Sequence, residues 1–120
     1  MPHTQAEVDA MLPLQPAAFH ILLALSADDC HGYGIIQDVL ARTGGALRLS
    51  PGTLYRTIQR LLDDGLIEEP RKPSRSSADP RRRYYRITPF GTAVARAETQ
   101  RLAGLVRLAR SAWRLAGESS

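Results

Sequence analysis

The sequence contains a single cysteine, Cys30, and no apolar run that approaches the roughly 18 residues of a membrane-spanning helix. One cysteine excludes an internal disulfide and provides no framework for a zinc site. No signal-peptide pattern opens the sequence, so we expect a cytoplasmic protein.

Residues suited to catalysis or metal binding are also sparse. No histidine, acid and nucleophile are arranged as catalysis would require. His20 lies on an apolar segment, and Cys30 is the direct neighbour of His31, which is poor geometry for two metal ligands. Gly32 and Gly34 lack the Lys-Ser/Thr that follows in a phosphate-binding loop. We therefore expect that the protein is not an enzyme and that it binds neither a metal ion nor a cofactor.

Lysine is nearly absent, because Lys72 is the only one among 16 basic residues. Arginine favours bidentate contacts with phosphate and guanine, although a genome of high GC content would give the same bias. The charge is also uneven: residues 1–47 carry a net charge of −4, residues 48–86 carry +5 and residues 87–120 carry +3. This distribution indicates an electrostatic footprint for an anionic partner.

The length of 120 residues suits one domain with a short N-terminal arm. A capping box at residues 4–7 predicts a short helix over about residues 5–12, and the dense apolar segment 16–26 predicts a buried first helix. A second helix is expected over residues 35–42, and the glycines that follow at 44–45 end it.

Residues 50–65 form the most informative segment of the chain. Ser50 suits an N-cap, Pro51 suits the first helical position and Gly65 suits the residue just after the helix. The apolar side chains of this helix form a single stripe, which consists of Leu54, Ile58, Leu61 and Leu62. A helix with an apolar back and a front of arginine and threonine is typical of a helix that lies in a DNA groove.

An arginine-rich hairpin, or wing, follows this helix. Residues 66–69 and 82–87 are β-prone, and the loop 70–80 between them is rich in proline, serine and arginine. We expect the loop to contact phosphates, and it can also be disordered without DNA. Side chains alternate along the second strand, so one of the two tyrosines Tyr84 and Tyr85 is expected to point inward and the other outward. At least one of the two rings is expected in the core.

DNA contacts are expected from both elements. Arg56 and Arg60 are four residues apart and share a face, where either can bind guanine or phosphate, although Arg60 can instead pair with a neighbouring acid. Tyr55 is expected to pack its ring on a neighbouring helix while its hydroxyl reaches a phosphate. First-turn N–H groups at Gly52 and Thr53 suit a phosphate. The complete set of expected DNA-binding residues is Ser50, Gly52, Thr53, Tyr55, Arg56, Arg60, Lys72, Arg75, Arg81, Arg82 and Arg83.

A long final helix is predicted from Pro89 to about Leu115, with a length of roughly 40 Å. A domain of this size cannot cover the whole apolar stripe of such a helix, so part of the stripe is expected to meet a partner helix. The expected dimer-interface residues are Val94, Leu102, Leu105, Ala109 and Trp113. The predicted fold is mainly α with a two-stranded β wing, which is a winged helix-turn-helix followed by a long C-terminal dimerisation helix.

Four segments occur in a recognisable order: HGYG at 31–34, SPGTLY at 50–55, LLDDGLI at 61–67 and RYYRITPFG at 83–91. Together they closely resemble the PadR family of transcriptional regulators, over about residues 14–105. The single C-terminal helix resembles the shorter branch of that family, whereas the glycine-poor wing loop departs from the usual pattern.

The resemblance implies a homodimeric winged-helix repressor that binds a roughly palindromic DNA operator. The predicted elements divide the chain into an N-terminal arm (1–15), a DNA-binding domain (16–88) and a dimerisation helix (89–120). Trp113 is expected either to pack in the dimer interface or to line a pocket for a small-molecule effector at the dimer seam. The alternative function is a winged-helix protein-interaction module whose basic wing docks on an acidic protein surface.

Overall fold

The computed structural model describes residues 3–74, 78–115 and 117 of the chain. Within them, helices and short strands follow one another in the order α1 (Gln5–Ala10), α2 (Pro16–Ala27), β1 (Cys30–His31), α3 (Gly32–Arg42), α4 (Pro51–Asp63), β2 (Ile67–Glu68), β3 (Tyr84–Ile87) and α5 (Pro89–Leu115). The mainly α fold with a wing and a long last helix is confirmed.

The core lies between α2, α3, α4 and the first half of α5. Its most deeply buried side chains include Ile21, Ile35, Leu54 and Val94, each with 0% of its surface exposed. Full burial of an aliphatic side chain contributes about 1.5–3 kcal/mol, so this cluster holds the four helices in one arrangement.

The sheet has one strand more than the sequence predicted. β3 lies in the middle, and both neighbours are antiparallel to it: Cys30 of β1 pairs with Tyr85, and Ile67 of β2 pairs with Ile87. A strand of two residues has no detectable periodicity, so β1 could not be found from the pattern. It ends directly in α3, where the His31 ring nitrogen Nδ1 accepts the Gly34 N–H at 3.0 Å and caps the helix. For this reason α3 begins at Gly32 rather than near residue 35.

Both tyrosines of β3 are buried, with 7% of Tyr84 and 2% of Tyr85 exposed. Tyr85 joins the hydrophobic core, as expected for one of the pair. Tyr84 lies outside that core cluster, as the alternation predicts, but it is buried rather than exposed, because the wing loop covers it. The hydroxyl of Tyr84 accepts the Asp79 N–H at 2.8 Å, and its ring makes an edge contact with His31.

The N-terminal arm crosses the start of α5. The ring of His3 stacks on Phe90 with 3.8 Å between the ring centroids, and Val8 is buried in the core. The capping box at Thr4 and Glu7 is present, but α1 ends at Ala10, two residues earlier than predicted.

α5 extends well beyond the domain. No described side chain between residues 99 and 115 is buried, and the radius of gyration is 16.5 Å, against about 14 Å for a compact chain of this length.

Val94 lies in the first half of α5 and is 0% exposed, packed in the core of its own chain. Its assignment to a dimer interface is therefore wrong, because it leaves no surface for a partner. Trp113 remains 62% exposed and Leu105 48%.

Candidate nucleic-acid interface

The helix α4 is anchored by its back and exposed at its front. Leu54, Ile58 and Leu61 are at most 2% exposed, which fixes the rotation of the helix about its axis. Ser50 caps it, since its Oγ accepts the Thr53 N–H at 3.2 Å. The Thr53 N–H therefore already has an acceptor in Ser50. Of the two N–H groups in the first turn that were expected to bind a phosphate, only that of Gly52 has no acceptor within the helix.

Arg56 and Arg60 lie on the exposed front of α4. Neither guanidinium forms an ion pair or hydrogen bond with any residue in the described part of the chain. The predicted alternative for Arg60, a pair with Asp63 or Asp64, is not formed. Asp63 instead accepts a hydrogen bond from the Gln59 amide at 2.9 Å. Both arginines are thus available for an external anion.

Tyr55 lies on one flank of α4, half-exposed, with its hydroxyl against the backbone of α3. A Cβ at Gly32 would lie 2.4 Å from that hydroxyl, so the absence of a side chain at residue 32 is what lets the ring approach. Tyr33 lies beside it, exposed, and Arg82 approaches from the wing. Together they line a cleft of about 270 Å³. Sequence reasoning missed Tyr33, although its place in the HGYG segment was a signal.

Arg81, Arg82 and Arg83 of the wing are exposed, and each has a partner in the chain. Arg83 donates two hydrogen bonds to Glu69, at 2.9 and 2.7 Å, and Arg81 contacts Asp79 at 3.3 Å. Arg82 lies 3.0 Å from the His31 ring nitrogens. Exposed pairs of this kind stabilise a protein little, so a phosphate can replace the carboxylate.

These contacts set the protonation of the wing acids. The Arg83 guanidinium lowers the pKa of Glu69 below its usual value. The pKa of Asp79 is lowered mainly by the hydrogen bond from the Arg81 N–H. Both acids are therefore charged at neutral pH and hold the arginines in place.

A buried acid anchors the wing to the body of the domain. Asp29 is 5% exposed, and it accepts hydrogen bonds from Arg86 at 3.1 and 2.8 Å and from the Ser74 N–H at 2.9 Å. Burial alone would raise the pKa of Asp29, but these donors outweigh it and lower the pKa. Arg86 also reaches the main-chain oxygen of Lys72 at 3.4 Å. The predicted DNA contact Lys72 is thus held at the wing's base, whereas Arg75 lies outside the described residues.

Among the described residues, no group of three histidine, cysteine or acidic side chains is placed to hold a metal ion. No helix in the described part of the chain is both long and apolar enough to span a membrane.

Residues 21–97 match the model of the PadR-like family of transcriptional regulators. The chain belongs to this family. It is 39% identical over 88 residues to the transcriptional regulator Rv3488 of Mycobacterium tuberculosis, with 73% of this chain and 77% of that protein covered.

Two solved structures share the fold. A transcriptional regulator from Clostridium thermocellum is 22% identical, with a TM-score of 0.67 over 92% of this chain and 97% of that one. A PadR family transcription regulator from Clostridium difficile R20291 is 25% identical, with a TM-score of 0.67 over 81% of this chain and 97% of that one. The family consists of DNA-binding transcriptional regulators and not of enzymes, so the resemblance found in the sequence is confirmed.

Proposed function

We propose that this PadR-family chain is a homodimeric, cytoplasmic transcriptional repressor that binds a roughly palindromic operator. The observation that carries the proposal is the front of α4, where Arg56 and Arg60 are exposed and have no partner among the described residues, on a helix whose back is buried in the core. Guanidinium groups in this setting suit guanine edges in the major groove. The wing then lies over the flanking backbone, and its arginines exchange their carboxylate partners for phosphates.

The dimer is supported by the far half of α5. Leu102, Leu105 and Trp113 are exposed there, and Ala109 lies on the same side of the helix. A contiguous apolar stripe exposed over several helical turns is typical of an interaction surface. Two-fold symmetry would then present two α4 helices to half-sites about one helical turn apart.

We further propose that a small-molecule effector binds at the dimer seam beside Trp113. Release of DNA would follow if the effector changes the angle between the two α5 helices and thus the spacing of the two α4 helices. Trp113 is the only tryptophan, so its fluorescence reports on this site alone. Aromatic compounds that release DNA without changing the Trp113 emission would contradict the proposal.

The decisive experiment is selection of DNA from a randomised duplex pool at near-physiological salt. An enriched inverted repeat supports a sequence-specific dimer, and its half-site spacing measures the distance between the α4 helices. Salt-sensitive binding without enrichment would indicate a non-specific binder. Failure to retain any duplex would favour the protein-interaction module.

A further inference from the structure

A recess of about 380 Å³ lies on the flank of α4 opposite Tyr55, between that helix and the N-terminal arm. The arm contributes Met11, Pro13 and Leu14, and α4 contributes Arg56 and Arg60. We call it the arm recess. Its volume falls in the range of about 300–1,000 Å³ that is typical of small-molecule sites.

The walls of the arm recess are aliphatic, and no aromatic side chain is among its described lining residues. The apolar lining consists of Ala10, Met11, Pro13, Leu14, Ala18, Leu61 and Leu66. Met11 and Leu14 are partly buried and pack against the core, so both keep apolar surface toward the recess. Such walls suit an alkyl chain and offer no ring for an aromatic ligand to stack on.

The arm wall lies beside a buried acid of α5 and packs on the start of that helix. The carboxylate of Glu98 on α5 is 2% exposed and accepts hydrogen bonds from Arg101 at 2.7 and 2.9 Å. These bonds outweigh the effect of burial and lower the pKa of Glu98, so the acid is charged at neutral pH. The arm is also joined to the domain by the ring of His3, which stacks on Phe90 of α5, and by Val8 in the core, so the recess exists before any ligand arrives.

The charged side of the arm recess is positive. Arg56 and Arg60 line it without ion pairs in the described part of the chain, against one lining carboxylate, that of Asp64. A ligand that satisfies both sides must be apolar at one end and anionic at the other. A carboxylate matches the planar fork of an arginine with two parallel hydrogen bonds.

We propose that the arm recess binds a medium-chain alkyl carboxylate, with the alkyl chain against Met11 and Leu14 and the carboxylate on Arg56 and Arg60. This site is separate from the seam beside Trp113. A second consequence rests on the proposed function: the bound carboxylate occupies the two arginines that would otherwise meet DNA, so ligand and operator compete.

The first test uses octanoate and needs no DNA. The chain has two methionines, so labelling the methionine methyl groups gives a simple NMR spectrum, in which Met11→Leu assigns the Met11 signal. Octanoate is expected to shift the Met11 signal saturably. Two controls are measured at the same ionic strength: octanamide has the alkyl chain without the charge, and acetate has the carboxylate without the long chain. Each is expected to bind at least about tenfold more weakly than octanoate.

Arg60→Gln is expected to weaken octanoate binding about tenfold or more, because it removes a charged hydrogen-bond donor from an exposed position. Arg96→Gln, an exposed arginine on α5 away from the recess, is the matched control and should bind octanoate as the unaltered chain does. The proposal is overturned if octanoate leaves the Met11 signal unchanged, or if it changes Trp113 emission only. An equal shift of the Met11 signal with inorganic phosphate would also overturn the proposal and would indicate a phosphate-binding site instead.

The second test measures duplex binding with octanoate at about ten times its own Kd. Competition predicts a fall in DNA affinity of about tenfold for each α4 helix that meets the duplex, and an excess of DNA must in turn weaken octanoate binding. Octanoate binding with unchanged DNA affinity would overturn the competition. Because the Met11 titration contains no DNA, its result is independent of whether the proposed repressor function holds.

Discussion

Gly91 in the first turn of α5 lies directly against the main-chain oxygen of Leu66, so closely that a Cβ at residue 91 would be 2.0 Å from that oxygen. The Thr88 N–H donates to the same oxygen at 3.0 Å. Because a main-chain oxygen cannot rotate away as a side chain can, this contact determines where α5 begins and the direction in which it leaves the domain.

Replacing Gly91 with alanine is therefore expected to lower the free energy of unfolding by about 1–3 kcal/mol, as overpacking against rigid neighbours does. Urea unfolding followed by circular dichroism measures the change. Gly52→Ala is the control, because a Cβ at residue 52 meets nothing within 4 Å. If Gly91→Ala is as stable as Gly52→Ala, the close approach is not a constraint on the fold.

Asp29→Asn tests the anchor of the wing. The amide has the shape of the carboxylate but no charge and one acceptor fewer, so the bidentate contact from Arg86 is lost. We expect a loss of about 1.5–3 kcal/mol in the free energy of unfolding at pH 7. Asp38→Asn, at an exposed i,i+4 pair with Arg42, should cost much less.

The same variant predicts a pH dependence. The pKa of Asp29 is lowered in the folded chain, so the folded state favours the charged form. Its contribution is complete above the unfolded pKa of about 3.9 and is lost as the pH falls through the folded value. The stability difference between the unaltered chain and Asp29→Asn should thus be constant near neutral pH and shrink below about pH 4. A difference that grows with acidity would contradict the assignment.

Arg56 and Arg82 are expected to contribute differently to DNA binding. Arg56→Ala should cost about 1–3 kcal/mol on the selected operator and relax the preference at one base pair, since the side chain projects from the front of α4. Arg82→Ala should weaken binding to every duplex about equally, because the wing contacts the backbone. Fluorescence anisotropy on the operator and its single-base variants distinguishes these results, with Arg96→Ala as control. Identical profiles for both variants would refute the division of roles.

Salt dependence measures the number of phosphates engaged. If the wing arginines exchange their carboxylate partners for phosphates, a dimer with ~6–10 such contacts loses ~10³–10⁵ in affinity between about 50 and 200 mM salt. Each of Arg81→Ala and Arg82→Ala should reduce the slope of log K against log[salt]. A flat response for the unaltered chain would argue against DNA as the partner.

Leu105→Asp tests the dimer. A carboxylate on the exposed apolar stripe of α5 should abolish association, because the interface would bury a charge among apolar side chains. Sedimentation equilibrium gives the mass directly. Gln100→Asp carries the same charge on the opposite side of the helix and should leave the mass unchanged. A variant that stays dimeric would place the interface elsewhere.

Local signals in the sequence were sufficient for the order of the helices and for the presence of the wing, although not for the end of α1 or the start of α3. The cap at Ser50, the proline at residue 51 and the glycine at residue 65 act within one turn of the chain, so the limits of α4 follow from neighbouring residues alone. The length of α5 and the position of the arginines on the exposed face of α4 follow in the same way, from helical periodicity. The family resemblance rests on such segments as well.

Only the tertiary structure decided which side chains meet across the chain. Val94 shares the periodicity of the α5 stripe but is buried in its own chain, because the domain covers the first half of that helix. Tyr84 alternates away from the core and is nevertheless covered, since a loop folds back over it. The pairing of Arg83 with Glu69 and of Arg86 with Asp29 joins residues 14 and 57 positions apart.

The recess between the arm and α4 arises for the same reason. Met11 and Arg60 are distant in sequence, and the packing of the arm against the core brings them to one cavity. Periodicity and capping are local properties and can be read from consecutive residues. Contacts between distant segments depend on how whole helices and strands pack against one another. That packing cannot be read from consecutive residues and is visible only in the folded chain.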